Sequence, residues 1–423
     1  MANHEKMWQE LGLDVELHNE LLKSIDRTFQ QTVGAQKNRP EGMKYFDNVL
    51  HESHGGRVAE LLDDKAKGNK VIGTFCIYVP DEIAMAVDIT PIALCGGTNF
   101  SVPYAEKMFP RDICPLVKST LGLAFSKTCP YAPIKNMAVG ETTCDAKKKT
   151  WEILASKVNF HVMEVPQKKD GPDINLWHKE VREFKDKVEG LAGKKVEKKR
   201  LAETIKIMND KRRALQKMNE LRKHDPSPIS GLDALVVMQA ALNDEPVRFT
   251  EKLNQLNTEL EARIKKGISP FAKGAKRIMF SGCPTVMGNW KVHSLIEKGG
   301  VAIVIDESCT GTRYFENLVD EKAADLEGQL SALADRYMKI NCACFTPNQE
   351  RIDDLVQKTK DFNVNGVVQY ILQYCHGYNV EAIRVDGALK QENIPSLKIE
   401  TDYSEEDVGP LRTRIEAFLE RIA

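Results

Sequence analysis

The chain has no apolar run long enough to cross a bilayer. Its longest, Ala234 to Leu242, falls well short of the roughly eighteen residues a spanning helix needs. Met1-Ala2-Asn3-His4-Glu5 opens the sequence without the apolar stretch of a secretion signal. A surplus of charge is missing as well. Sixty Lys and Arg stand against 61 Asp and Glu, so overall charge argues for neither nucleic acid nor a membrane surface. Phosphate-binding signatures are absent: there is no Walker loop, and no Gly-x-Gly-x-x-Gly follows a strand, so the chain itself is not expected to bind ATP or NAD. Gly190-Leu-Ala-Gly-Lys-Lys195 resembles a phosphate loop only faintly, lacking both the spacing and a preceding strand. No Gly-x-Ser-x-Gly elbow marks a serine nucleophile. The close Cys-x2–4-Cys pairs of structural zinc sites are missing too.

What the chain does have is cysteine. A cytoplasmic location is expected, and in that reducing compartment ten cysteines point to metal, catalysis or core packing rather than disulfides. At 423 residues the chain is long for one core, so two or three domains are expected.

The pattern predicts an α/β fold: two doubly wound, mostly parallel-sheet domains with a helical insertion. Residues 1–60 read as a helical segment. In 61–172, a first α/β domain, strand-like runs occur at Lys70 to Pro80, Ile92 to Cys95, Met137 to Val139 and Phe160 to Val165, with helices between. Residues 173–270 carry almost no strand runs. Leu201, Ile205, Met208, Leu215 and Met218 line one helical face there. The Lys- and Arg-rich stretch Lys194 to Lys223 reads as a solvated helix face, with a docking surface for an acidic partner as its rival. Strand–helix alternation resumes in 271–423, a second α/β domain. Its strand-like runs are Arg277 to Ser281, Val301 to Ile305, Ile340 to Cys344, Gly366 to Leu372 and Leu397 to Ile399.

Seven cysteines fall at or beyond predicted strand ends, or in the loops between: Cys114, Cys129, Cys144, Cys283, Cys309, Cys344 and Cys375. Ligands of open α/β sheets bind at such loops, so two facing domains could pool thiols in one cleft. Cys114, Cys129 and Cys144 are evenly spaced, and Cys114 and Cys129 precede proline, which suits a helix start. A helix N-terminus favours the thiolate that binds iron. Cys76 and Cys95 lie within apolar runs and read as core residues. On a strand, Cys342 and Cys344 would share a face at different depths, so one of them is expected to reach the cleft. His51 and His54 read as surface helix, a poor metal motif without a third ligand. Thiolates scattered over a long chain suit an iron–sulfur cluster between domains better than zinc.

Several motifs resemble the benzoyl-CoA reductase / 2-hydroxyacyl-CoA dehydratase family. They are Ile113-Cys-Pro-Leu-Val-Lys-Ser119, Lys127-Thr-Cys-Pro-Tyr131, Val139-Gly-Glu-Thr-Thr-Cys-Asp-Ala-Lys-Lys-Lys149 and Gln373-Tyr-Cys-His-Gly-Tyr-Asn379. Ile394 to Ser404 and Arg414 to Phe418 add to the likeness. The resemblance implies two α/β domains, an iron–sulfur cluster and a separate ATP-hydrolysing [4Fe-4S] activator that delivers low-potential electrons. It also implies a homodimer. The three cluster cysteines of the dehydratase subunits match Cys114, Cys144 and Cys375. The surplus cysteines resemble the double-cubane cluster branch, in which one chain holds an [8Fe-9S] centre with three cysteines per cubane. On that likeness Cys129, Cys309 and one of Cys342 or Cys344, with Cys344 favoured, are assigned to the second cubane. The activity expected is reduction of a small molecule. A [4Fe-4S] subunit acting on an acyl-CoA is the alternative, and a non-catalytic electron carrier the second. His376 and Glu141 are candidate proton donors, with neither preferred.

Overall fold

The computed structural model describes residues 4–422. The first sheet contains β1 (Lys70–Thr74), β2 (Ile89–Ala93), β3 (Met137–Glu141) and β4 (Phe160–Met163). Every pairing in it is parallel, in the order β2-β1-β3-β4. The second sheet contains β5 (Arg277–Gly282), β6 (Ala302–Glu307), β7 (Gly366–Leu372) and β8 (Ser396–Thr401). It repeats the plan as β6-β5-β7-β8, again all parallel. Strands β3, β5, β6 and β7 are buried along their whole length. Helices cover both faces of such sheets, which is why these strands read as continuous apolar runs. The expected α/β architecture of two parallel sheets is therefore present.

Two strand expectations need correction. Ile340 to Cys344 is no strand but an irregular loop between the helices Leu326–Met338 and Gln349–Asp361. The Ile340 carbonyl there accepts the Tyr78 hydroxyl at 3.3 Å, so a side chain satisfies backbone that a sheet would otherwise pair. The run from Lys70 also ends sooner than its apolar character suggests. β1 stops at Thr74, Phe75 still donates to the Val139 carbonyl of β3 at 3.1 Å, and Cys76 to Pro80 leave the sheet.

Four helices, Gly171–Ala192, Lys198–Leu221, Gly231–Ala241 and Pro246–Lys266, lie between β4 and β5. Leu201, Ile205, Met208, Leu215 and Met218 are buried, as their spacing predicts. The basic stretch is solvated only in part. Lys198 and Lys199 are exposed, whereas Lys211 and Arg212 are buried. Arg212 reaches Glu82 at 2.6 Å, and Lys211 donates to the Ala241 carbonyl. Gly231–Ala241 is buried on all sides, as a helix apolar around its whole circumference must be. One apolar core runs through Ile72 and Val139 of the first sheet, Leu235 of this helix, and Tyr337 and Cys309 of the second half. That shared core fixes the two sheets against each other.

Candidate functional site

In each sheet the strand order reverses beside the first strand, and ligands of such folds lie beyond the carboxyl ends at that point. Cysteines crowd there. Cys76 follows β1 by two residues, Cys95 follows β2 by two, and Cys144 follows β3 by three. In the second half Cys283 directly follows β5, Cys309 follows β6 by two and Cys375 follows β7 by three. Gly282 makes the turn that places Cys283. Its φ is +130°, and a Cβ there would lie 2.1 Å from the Tyr370 carbonyl oxygen.

The thiols meet across the two halves. Cys76, from the first half, and Cys309, from the second, lie near enough to perturb each other electrostatically. Cys342 and Cys344 are paired in the same way, and so are Cys283 and Cys375. Cys114 and Cys144 both face Cys375, and Cys342 faces Cys309. Within this loop each member of the Cys342/Cys344 pair has a tyrosine hydroxyl beside it. Tyr378 Oη donates to Cys342 Sγ at 3.5 Å, and Tyr78 Oη lies 3.9 Å from Cys344 Sγ.

Cys129 is not brought to this group. It packs with Val58, Leu61, Tyr131 and Ile134 beneath the N-terminal helices, and Lys135 is the charged group facing it. The structure thus places Cys76, read as core, against the core and beside these thiols, and Cys129 apart from them. Cys95, also read as core, faces Lys147 and Cys309.

Local backbone prepares three of the thiols. Cys114 is the N-cap residue of Pro115–Phe125, Cys144 of Asp145–Ala155 and Cys375 of His376–Gln391. Each sits at the positive end of a helix. Burial pushes the Cys114 thiol up to about 12, and the neighbouring Cys375 adds to this, while the Leu116 and Val117 amides act against it. Cys375 is held below the ordinary thiol value by the neighbouring Cys283, despite its burial. Cys309 is lowered in turn by Cys76, and Cys342 by Cys344.

Beneath the second-half thiols lies a buried charged network that the sequence reading did not find. Arg313 is 1% exposed. Its guanidinium donates to Glu307 Oε1 at 2.6 Å, to the Gly282 carbonyl at 3.2 Å and to the Tyr378 hydroxyl, and it lies 3.9 Å from Cys309 Sγ. Arg351 donates to Glu307 Oε2 at 2.9 Å and to Glu381 Oε2 at 2.5 Å. Burial alone would raise Glu307, but the charges of Arg313 and Arg351 hold it down to about 2. The network presents fixed positive charge to Cys309 and Cys342. In the first half, Lys147 pairs with Glu141 and faces Cys76, Cys95 and Cys144.

A cleft of about 300 Å³ opens onto Cys76, Cys95, Cys309 and Lys147, with Leu116 and Thr310 also in its wall. Among the described residues no three His, Cys, Asp or Glu side chains gather as a single-ion site would require. An iron–sulfur cluster makes a different demand, because its thiolates bind separate irons and must be spread around a volume. Thiols from several loops, flanked by cations and helix N-termini, fit that demand.

His51 is exposed at the end of the helix Met43–His51, as expected, but its companion is not. His54 is 6% exposed, not a surface residue, and stacks on the buried His18 with ring centroids 5.1 Å apart. Burial and the neighbouring His18 push it down to about 3. His376 is exposed beside Cys375.

The family model described as 2-hydroxyglutaryl-CoA dehydratase, D-component, matches residues 76–422. The Escherichia coli K12 protein YjiM, provisionally named a dehydratase subunit, is 37% identical over 86% of this chain and 94% of its own. The (R)-2-hydroxyglutaryl-CoA dehydratase beta subunit of Acidaminococcus fermentans is 25% identical over 86% of this chain and 95% of its own. A benzoyl-CoA reductase subunit of Thauera aromatica is 21% identical over 88% and 96%.

Proposed function

Because this chain belongs to the 2-hydroxyglutaryl-CoA dehydratase D-component family, whose relatives are named as dehydratase and reductase subunits, we propose that it is the iron–sulfur component of an ATP-dependent, low-potential reductase. A separate ATP-hydrolysing activator supplies its electrons, and a small molecule is reduced at an [8Fe-9S] double-cubane centre. One observation carries this reading: the thiols that converge are too many for a single three-cysteine cluster, and they come from both halves of the chain.

Cys114, Cys144 and Cys375 hold one cubane. Cys76, Cys309 and one of the Cys342/Cys344 pair hold the other, with Cys76 taking the place first given to Cys129. The cluster, when bound, supplies the one-electron chemistry. The chain's own residues do the rest. Helix N-termini at Cys114, Cys144 and Cys375 and the guanidiniums of Arg313 and Arg351 offset the charge of the thiolates. Apolar side chains such as Leu116 and Val286 in the cleft wall limit water. The chain works as a homodimer in the cytoplasm.

The relatives' names favour a second reading, a subunit of an enzyme acting on an acyl-CoA, for which a single [4Fe-4S] cluster is the expectation. Iron and acid-labile sulfide analysis with EPR on anaerobically purified protein decides between the two. About eight irons per chain are expected for the double cubane and about four for the alternative. Iron-free protein that stays so after reconstitution would refute both.

A further inference from the structure

Lys147 stands in the first turn of the helix Asp145–Ala155, three residues beyond the N-cap Cys144. Its side chain is 13% exposed and lines the cleft with Cys76, Cys95 and Cys309. Its charge acts on Cys76, Cys95 and Cys144, and also on Cys309 and Cys375 of the second half. It therefore faces thiols assigned above to both cubanes. Glu141, the fully buried last residue of β3, accepts its ammonium through Oε1. The Thr143 hydroxyl donates to the same oxygen at 3.3 Å, and the other carboxylate oxygen, Oε2, has no partner among the described residues. Trp151 Nε1 donates to the Glu141 carbonyl at 2.9 Å and anchors the strand end beneath the pair. The pair is thus held in place, largely buried and turned toward the thiols. A charge so placed is screened little by salt.

We propose that Lys147 sets the reduction potential of the centre these thiols hold, its ammonium favouring the electron-rich state, and that Glu141 is a positioning residue that keeps the ammonium there and moderates its charge. This rests on the functional reading above. An added electron raises the negative charge ringed by the thiols, and a fixed cation at that rim lowers the cost of adding it. The carboxylate behind the cation acts in the opposite sense. Neutralising the two members of one ion pair therefore moves the potential in opposite directions. A purely structural ion pair would change stability and leave the potential alone.

The test is an EPR-monitored redox titration of anaerobically purified full-length wild type, Lys147→Met, Lys147→Arg and Glu141→Gln, each with iron analysis. Lys147→Met is expected to shift the midpoint negative by at least a tenfold change in the reduced-to-oxidised ratio, about 59 mV for a one-electron couple. Glu141→Gln should shift it positive, and Lys147→Arg should stay near wild type. Midpoints of Lys147→Met and Glu141→Gln that coincide with wild type, or move in the same direction, overturn the proposal. If Lys147→Met loses its iron, Glu141→Gln decides: a positive shift supports the role, and an unmoved midpoint overturns it. Wild type without iron would sink the functional reading and this proposal with it, whereas iron-loaded variants of unchanged potential sink only the role of Lys147.

Discussion

Cys76 and Cys129 show how little a single residue's local setting says about its role. Cys129 has the Cys-Pro sequence of a helix start, as Cys114 does, yet it packs against Tyr131 and Ile134 away from the other thiols. Cys76 looks like a small apolar residue in a strand, yet it is an electrostatic neighbour of Cys309 from the other half. If Cys76 holds the centre, Cys76→Ala should lose about half of the iron. Cys129→Ala should keep all of it and lose only packing, about 1 kcal/mol for one small buried group. Iron per chain and the urea midpoint of each variant measure the two effects separately. Equal iron in both variants would return Cys76 to the core.

At the scale of elements, strand ends and helix starts carry the chemistry, while the N-terminal helices carry stability. Val15–Thr32 begins at Asp14, whose Oδ1 accepts the Leu17 amide at 3.0 Å. It buries His18, which donates through Nδ1 to the Thr128 carbonyl at 2.7 Å and stacks on His54. Burial keeps His54 neutral down to about 3, against about 6.5 in the unfolded chain. Between those values the unfolded state binds more protons. The stability this supports is therefore full above about pH 6.5 and is lost as pH falls toward 3. His18 is shifted down as well, chiefly by burial, and acts with the same sign. From pH 7 to 5 the His54 contribution alone should remove about 2 kcal/mol. Urea unfolding at the two pH values should show that loss in wild type and a smaller one in His54→Gln. Equal losses in both would mean that the ring titrates freely in the folded protein.

At the scale of the molecule, three regions are joined by one buried charged group. Glu82 follows the first strand, Arg212 comes from the helices between the sheets, and Tyr337 from the second half. Arg212 donates to Glu82 Oε1 at 2.6 Å, and the Tyr337 hydroxyl donates to Oε2 at 2.8 Å. Removing one partner strands the other's charge in the interior, which costs about 3–5 kcal/mol. Arg212→Met should therefore lower stability by that order and loosen the two sheets together, in one cooperative denaturation transition. Arg212→Met with Glu82→Leu should recover most of the loss, since an apolar pair of similar volume needs no partner. A double variant no better than the single one would show that packing, not charge, is at stake.

The α/β class, the parallel strands and the helices between the sheets were legible in the sequence. Strand period, helical period and turn residues act over short stretches of chain, and β3, β5 and β7 were found within a few residues of their ends. That Cys114, Cys144 and Cys375 stand at helix starts was legible for a similar reason, because each caps the helix that directly follows it in the chain. Tertiary structure decided what the chain could not state locally. Where β1 ends depends on the neighbouring strands, and that end put Cys76 in the cleft. Whether Ile340 to Cys344 forms a strand depended on Tyr78, some 260 residues earlier in the chain, meeting its backbone. The gathering of thiols, the Arg313–Glu307–Arg351 network and the place of Lys147 all depend on how two sheets face each other. Side chains far apart in sequence set that arrangement by excluding water together, and no short stretch of residues encodes it.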